Sequence, residues 1–470
     1  MLDRLVQWLF GASLLTLPFC GVGLINLVTG RDLGFGLQPS WAFLALAAAL
    51  QMVVEWRIQR RGQSAPAGAV FLGLTPRSRR LWKLTGLFLL PILISALGMA
   101  LAPSGEAAQV VWFRWFKQLI QILIMLMFTV WCGLWIRGSS RWRWTLGALA
   151  LGAVFQLIYS AGQGGHFFWT SPVFDTLEKV FTSNPAILAG SEQLYLGDAM
   201  RQVPRLRGTM CEPLYLGNYL LFVLPWLFMW RRKQGVAVLT WGLVLLLLAT
   251  WSRGAWLAGM GAGLVFLAGR FWPGGHGAVF PDRRRLWPWL AGFGGILLLL
   301  AVGPEPYFDY PRQRLIQTFS SQDWSNLTRL YSMQAAWRAY LLSPLVGVGW
   351  GQFAFHFPLV VDPMGLQSQF SWPVVNNFPL QVLCEVGIIG LVALGTIWYK
   401  TMMSLWSLAR PRVPLGAAPA WAAMISLLAV SVQLMTFSQY NLPHIWVAFG
   451  LALAVREDPG GAASLTGVSS

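Results

Sequence analysis

Apolar residues in this chain come in continuous runs of membrane length. Runs close to the ~20 residues that a bilayer requires fall at about 5–27, 38–56, 84–102, 118–136, 144–160, 213–230, 235–251, 255–269, 287–303, 377–398, 418–437 and 442–455. Their continuity, without period-two alternation, argues against a β-barrel. The pattern therefore predicts an all-α polytopic membrane protein with about twelve transmembrane helices. One helical bundle is expected over 1–455, followed by a small polar tail, 456–470, that is expected to be disordered. The run after MLDR lacks a convincing small-residue cleavage site and is read as a retained helix.

Composition supports this reading. Of 470 residues, 56% are hydrophobic and 11% charged, and the mean hydropathy is +0.57, whereas soluble chains carry about 25% charged residues. The net charge of +17 raises the question of a nucleic-acid partner. The basic residues, however, gather in short loops: Arg57, Arg60 and Arg61 with Arg77, Arg79 and Arg80; Arg231, Arg232 and Lys233; Arg283, Arg284 and Arg285. Such loops are cytoplasmic by the positive-inside rule, so the charge reports topology. No nucleic acid is expected, and both termini are expected inside. Cys20, Cys132, Cys211 and Cys384 are scattered, with neither a disulfide framework nor metal-ligand spacing. No internal repeat is visible, which weakens a transporter built from inverted halves.

Two long outer loops, 161–212 and 304–376, contain Trp, Phe, Leu and Tyr throughout and are expected to be folded caps. The first ends in RQVPRLRGTMCEPLYLGNYL, where Arg201, Arg205 and Arg207 precede Glu212 and a helix-opening Pro213. Three arginines on this side run against the positive-inside trend and suggest an anionic partner, although a patch seated on lipid headgroups is the plainer alternative. TWSRGAW places Arg253 in a tight turn, where snorkelling to the interface competes evenly with a site role. Arg329 opens an amphipathic stretch ending at Gly347, Gly349 and Gly351, glycines that permit positive φ. In the polar excursion that follows lie His356 and Asp362. Asn376 and Asn377 stand at a helix start, with Gly387 and Gly390 spaced for close approach of another helix. Glu385 falls within the membrane with no partner that sequence can name. Arg207, Arg253, Arg329 and Asn376 thus come from four parts of the chain to one expected interface. Guanidinium groups match phosphate oxygens bidentately, and a polyprenyl pyrophosphate, with its tail in the bilayer and its charge at the edge, suits that placement.

At these residues the chain resembles the O-antigen ligase and O-antigen (exopolysaccharide) polymerase superfamily. RLRGTMCEPLYLGNYL resembles the family's Arg, Gly-Thr and Glu-Pro segment, and TWSRGAW its Ser-Arg-Gly segment. Asn377, Gly387 and Gly390 fill three positions of the ligase signature at the right spacing. Asn376 stands where the ligases carry His, and a neutral asparagine cannot take a proton at pH 7. The resemblance therefore implies a polymerase of undecaprenyl-pyrophosphate-linked repeat units first. An O-antigen ligase or O-oligosaccharyltransferase is the alternative, and a lipid-linked oligosaccharide transporter a further one. It also implies a bacterial inner-membrane location with a periplasmic site, and a lipid-linked glycan donor and a glycan acceptor as substrates. A chain-length regulator protein would be a possible partner, and no cofactor or metal is implied. On this reading Arg205, Arg207, Arg253 and Arg329 bind pyrophosphate and Asn376 orients the acceptor hydroxyl. Glu212 or His356 supplies the base, and Asn377, Gly387 and Gly390 support the site.

Overall fold

Among the residues that the computed structural model describes, helices account for the regular elements. Those residues are 2–23, 28–29, 36, 38–61, 76–181, 205–230, 234–271, 303, 312–313, 316, 324–357, 373–409 and 417–463. In chain order these helices are α1 (Leu2–Leu15), α2 (Pro39–Arg60), α3 (Pro76–Ile94), α4 (Ala96–Leu101), α5 (Ala108–Trp135), α6 (Gly138–Phe168), α7 (Pro172–Phe181) and α8 (Pro213–Trp230). They continue with α9 (Gln234–Ala249), α10 (Arg253–Phe271), α11 (Trp324–Leu342), α12 (Phe353–His356), α13 (Phe378–Ala409), α14 (Ala417–Gln433), α15 (Pro443–Glu457) and α16 (Pro459–Ala463).

Six stretches among the described residues are long and apolar enough to cross a membrane: Pro39–Arg60, Arg77–Leu101, Ala108–Trp135, Gly138–Phe168, Pro213–Trp230 and Phe378–Ala409. Gly235–Ala249, Arg253–Ala268 and Ala418–Gln433 are apolar but shorter. The expected run at 287–303 lies, but for its last residue, outside the described residues. The first run does not extend to residue 27, because α1 stops at Leu15 and residues 16–18 form a turn. Pro18 has no N–H to continue the ladder and its ring clashes with the preceding turn. The fifth run is longer than expected: α6 has 31 residues, about 46 Å at 1.5 Å per residue. It reaches well into what the sequence marks as the first outer loop.

The tail also departs from expectation. Residues 456–463 are ordered against the bundle, where disorder was expected from 456 onward. Asp458 Oδ2 accepts the Gly138 N–H at 2.7 Å, Asp458 Oδ1 accepts the Gly461 N–H at 3.0 Å, and Glu457 pairs with Arg80 at 2.8 Å. One acidic pair thus fastens the end of α15 to the starts of α3 and α6. Residues 464–470 lie outside the described residues.

At the centre stands α8, apolar on nearly every face and buried over most of its length, as a helix enclosed by others should be. It packs chiefly on α14 and α9, while α15 lies along α5 and α1 along α2. Three polar side chains in this core hydrogen-bond in a chain. His444 Nε2 contacts Asn218 Oδ1 at 2.9 Å, Asn218 Nδ2 donates to Gln433 Oε1 at 3.1 Å, and Gln433 Nε2 donates to the Leu214 carbonyl at 2.9 Å. These contacts place His444 within the helix core, on the network joining α8, α14 and α15.

One spanning helix is broken. Gly387 sits at φ 72° and ψ −173° inside α13, so the helical ladder is interrupted and backbone groups are released at membrane depth. The loop between α11 and α12 takes them up. Val348 N–H donates to Cys384 O and Gly349 N–H to Glu385 O, each at 3.0 Å. Ile388 N–H in turn donates to Pro344 O at 2.9 Å. Irregular backbone inside a membrane protein is tolerated where protein surrounds it in this way. A Cβ on Gly387 would lie 2.2 Å from Leu345 O, one on Gly347 2.3 Å from the Glu385 carbonyl carbon, and one on Gly98 1.9 Å from Gly347 O. The close neighbour at Gly387 is thus the loop between α11 and α12, not the second helix that the spacing with Gly390 suggests. At Gly390 a Cβ would meet Val386 Cγ1 at 2.5 Å.

Candidate functional site

Three helices begin at the same end of the bundle, around the turn that follows α14. At α13, Asn377 Oδ1 accepts the Leu380 N–H at 2.9 Å as a helix cap. Its amide donates to Met435 O at 3.1 Å, and Phe378 N–H donates to Leu434 O at 2.9 Å. The α10 start carries Arg253, with Ser252 Oγ accepting the Ala255 N–H at 3.4 Å. Its Gly254 is pressed so close that a Cβ would meet Thr436 Oγ1 at 2.6 Å. Glu212 and Pro213 open α8, where the Tyr215 and Phe437 rings lie 5.8 Å apart. The Leu206 N–H reaches Ala249 O at 3.1 Å, which sets the arginine segment beside the TWSRGAW turn. Helix N-termini carry partial positive charge and unsatisfied N–H groups, so three of them together with arginines favour an anion.

Glu212 stands among the cations. Burial pushes its carboxyl above the ordinary value; the charges of Arg205 and Arg329 and a hydrogen bond from Tyr215 oppose that rise. The Tyr215 hydroxyl donates to Glu212 Oε1 at 3.5 Å. A half-buried carboxylate held among positive charges, with its basicity raised, has the character of a general base.

Asn376, at the end of the second long loop, is tied back to α11 within that loop. Its Nδ2 donates to Ser332 Oγ at 3.3 Å. Ser332 Oγ lies 2.9 Å from Arg329 O and 3.0 Å from Val375 O. Among the described residues the non-glycines with positive φ are Trp251 at 51° and Asn376 at 58°. They flank the arginine turn and the α13 start, and strain of this kind concentrates at functional positions.

Arg207 is differently placed from the other arginines. It is 1% exposed; one guanidinium nitrogen donates to Met210 O at 2.8 Å and another forms a short ion pair with Glu178 Oε2. Glu178 Oε1 in turn accepts from the Tyr159 hydroxyl at 2.8 Å and Gln163 Nε2 at 2.7 Å. Gln163 Oε1 accepts the Gly208 N–H at 2.9 Å, and Gln156 Oε1 accepts the Thr209 N–H at 3.0 Å. Gly208, at φ 60°, would clash with Gln156 if it bore a Cβ. The Arg-Gly-Thr segment is therefore latched onto α6 and α7, and the Arg207 guanidinium is engaged from within the protein. The sequence reading missed these latch residues. Gln156, Ser160 and Gln163 do recur at helical spacing in an apolar run, a pattern that marks a polar face. Glu178 lies in a short amphipathic stretch of a loop and carries no such signal.

His356 and Glu385 sit apart, by the loop between α11 and α12. His356 is buried, its Nδ1 has no hydrogen-bond partner among the described residues, and burial lowers its pKa to about 4. Glu385 accepts the Phe353 N–H at 3.1 Å and Gln381 Nε2 at 3.1 Å. Arg114 donates to the neighbouring Gly351 O at 2.5 Å. These contacts supply the partners that the sequence could not name for an intramembrane carboxylate, and they hold the loop. The described residues thus group Arg205, Glu212 and Arg329 electrostatically, bring Arg253, Asn376 and Asn377 to the same helix ends, and leave Gly387, Gly390 and Glu385 deeper along α13.

Residues 220–395 match the family model described as O-antigen ligase. The matched stretch holds Arg253, Arg329, His356, Asn376, Asn377, Gly387 and Gly390 and begins after Glu212. It supports the O-antigen ligase and polymerase superfamily to which the motifs are likened. No curated protein matches the chain.

Proposed function

We propose that this membrane protein transfers a glycan from a polyprenyl pyrophosphate to a hydroxyl of an acceptor glycan, polymerising lipid-linked repeat units at the periplasmic face of a bacterial inner membrane. The match to the O-antigen ligase family implies glycosyltransferase-like chemistry. The observation that carries the reading is the meeting of three helix N-termini, one of them opened by Arg253, at the end of the bundle where Arg205 and Arg329 act on the Glu212 carboxyl. That arrangement suits a pyrophosphate beside a base.

In the proposed reaction Arg205, Arg253 and Arg329 bind the pyrophosphate and stabilise the charge it gains on leaving. The acceptor hydroxyl attacks the anomeric carbon, the bond from that carbon to the pyrophosphate oxygen breaks, and the bonding pair leaves with the pyrophosphate. Glu212 takes the hydroxyl proton, and Asn376 orients the acceptor. Arg207 acts from behind, holding the Glu212 segment through its latch. His356, neutral at pH 7, is the alternative base.

Two observations pull the acceptor in different directions. The matching family is described as O-antigen ligase, which favours a single transfer to a lipid A core. Asn376, which cannot serve as a base, favours polymerisation. Purified protein incubated with lipid-pyrophosphate oligosaccharide decides: a product ladder identifies a polymerase, and a single transfer to added lipid or protein acceptor identifies a ligase. Absence of any new glycosidic bond with both acceptors present would overturn the proposal.

A further inference from the structure

The four cysteines are far apart in sequence, yet the structure pairs two of them. Cys20 Sγ and Cys211 Sγ lie 3.5 Å apart across 191 positions of chain, and the Cys211 N–H donates to Cys20 Sγ at 3.4 Å. Contacts that do not involve sulfur fix the backbone on either side. Thr209 Oγ1 donates to Pro18 O at 3.0 Å, and Gln156 Nε2 donates to Thr209 Oγ1 at 2.8 Å. Both thiols are half-buried, so a reagent can reach them, whereas Cys132 and Cys384 are buried within spanning helices.

We propose that Cys20 and Cys211 form a disulfide that staples the turn after α1 to the residue preceding Glu212. This uses the proposed periplasmic placement of that end of the bundle, because disulfides persist in oxidising compartments. The sulfurs stand in contact already. Closing to a bond of about 2.05 Å requires side-chain rotation and a small approach of two segments that other hydrogen bonds hold together. In the step, the thiolate of Cys20 attacks the disulfide of a thiol-oxidising protein, and Cys211 then displaces that protein from the mixed disulfide. The two thiol protons and two electrons pass to the oxidant, which leaves as a dithiol. The Cys20 thiol is pulled below its ordinary value, first by its hydrogen bond with Cys211 and further by the Arg207 charge, which makes it the attacking partner.

The test uses the full chain in native membranes, quenched with acid, denatured and alkylated with a maleimide before digestion and mass spectrometry. The expected result is a linked peptide pair containing Cys20 and Cys211 that disappears on prior reduction, with maleimide on Cys132 and Cys384. In Cys20→Ala, Cys211 should become labelled without reductant. Maleimide on both Cys20 and Cys211 in unreduced wild-type protein, or an unlabelled Cys211 in Cys20→Ala, would overturn the staple. Glycosyl transfer by the same membranes reports separately on the proposed function, so thiols found reduced in active membranes refute the staple alone.

Discussion

Asn376 Nδ2 donates to Ser332 Oγ across 3.3 Å, tying a left-handed residue before α13 to the helical turn that begins at Arg329. The bond makes the asparagine a strut between those two segments. Asn376→Gly keeps the φ of 58° accessible and removes the amide's hydrogen bonds to Ser332 Oγ and Val374 O, so transfer should fall roughly 5-fold. Asn376→Ala adds left-handed strain of about 1 kcal/mol, visible as a lower thermal midpoint in detergent. Equal midpoints for the two variants would deny the strain.

Glu212→Gln should lower transfer roughly 10²–10⁴-fold, the usual contribution of a general base, and more than Asn376→Ala does. A base works when deprotonated. Because burial raises the Glu212 pKa, wild-type activity should fall on acidification through a limb above the ordinary carboxylate value of about 4.3. If His356 is the base, the limb lies near its pKa of about 4 and persists in Glu212→Gln. The pH dependence of kcat/KM distinguishes the two.

Arg253→Ala and Arg329→Ala should each weaken transfer roughly 10–100-fold, the worth of one charge-assisted contact, with membrane levels unchanged. Lysine at either position should recover only part, because an ammonium cannot form the bidentate fork. Wild-type rates in both alanine variants would remove the arginines from the pyrophosphate site.

Arg207 should behave differently. Glu178→Ala leaves a buried guanidinium without its carboxylate, at about 3–5 kcal/mol of stability, and should reduce folded protein in the membrane. Replacing both partners by methionine should restore folded protein and much of the transfer, as expected of a latch. A double variant that folds but is inactive would instead put Arg207 in contact with the donor.

Gly387→Ala forces a Cβ to 2.2 Å from Leu345 O at a φ of 72°, and should abolish docking of the loop between α11 and α12 onto α13. Gly395, with open space around it, is the control on the same helix. Limited proteolysis of the two alanine variants would show the contrast.

Much of this was legible before the structure. Among the described residues, six of the twelve membrane-length runs coincide with helices long and apolar enough to span, and Pro213, Asn377 and the TWSRGAW turn mark the helix starts that meet at one end of the bundle. Three things were not legible. The end of α1 depends on Pro18 within a run whose hydropathy continues past it. The break at Gly387 requires a partner loop about 40 residues upstream, and helix periodicity does not report such pairing. The Arg207 latch requires Glu178, brought near by the length of α6. Sequence placed an arginine near the membrane face, but only tertiary contacts reveal that its charge is already balanced.

The most direct measurement counts polyprenyl pyrophosphate released against glycosidic bonds formed by purified protein in vesicles supplied with lipid-linked oligosaccharide. One pyrophosphate lipid released per bond, with both yields falling together in Arg253→Ala and Arg329→Ala, is the predicted result. Movement of intact lipid-linked oligosaccharide across the vesicle membrane, with no bond formed and no pyrophosphate lipid released, would contradict it and make the chain a transporter.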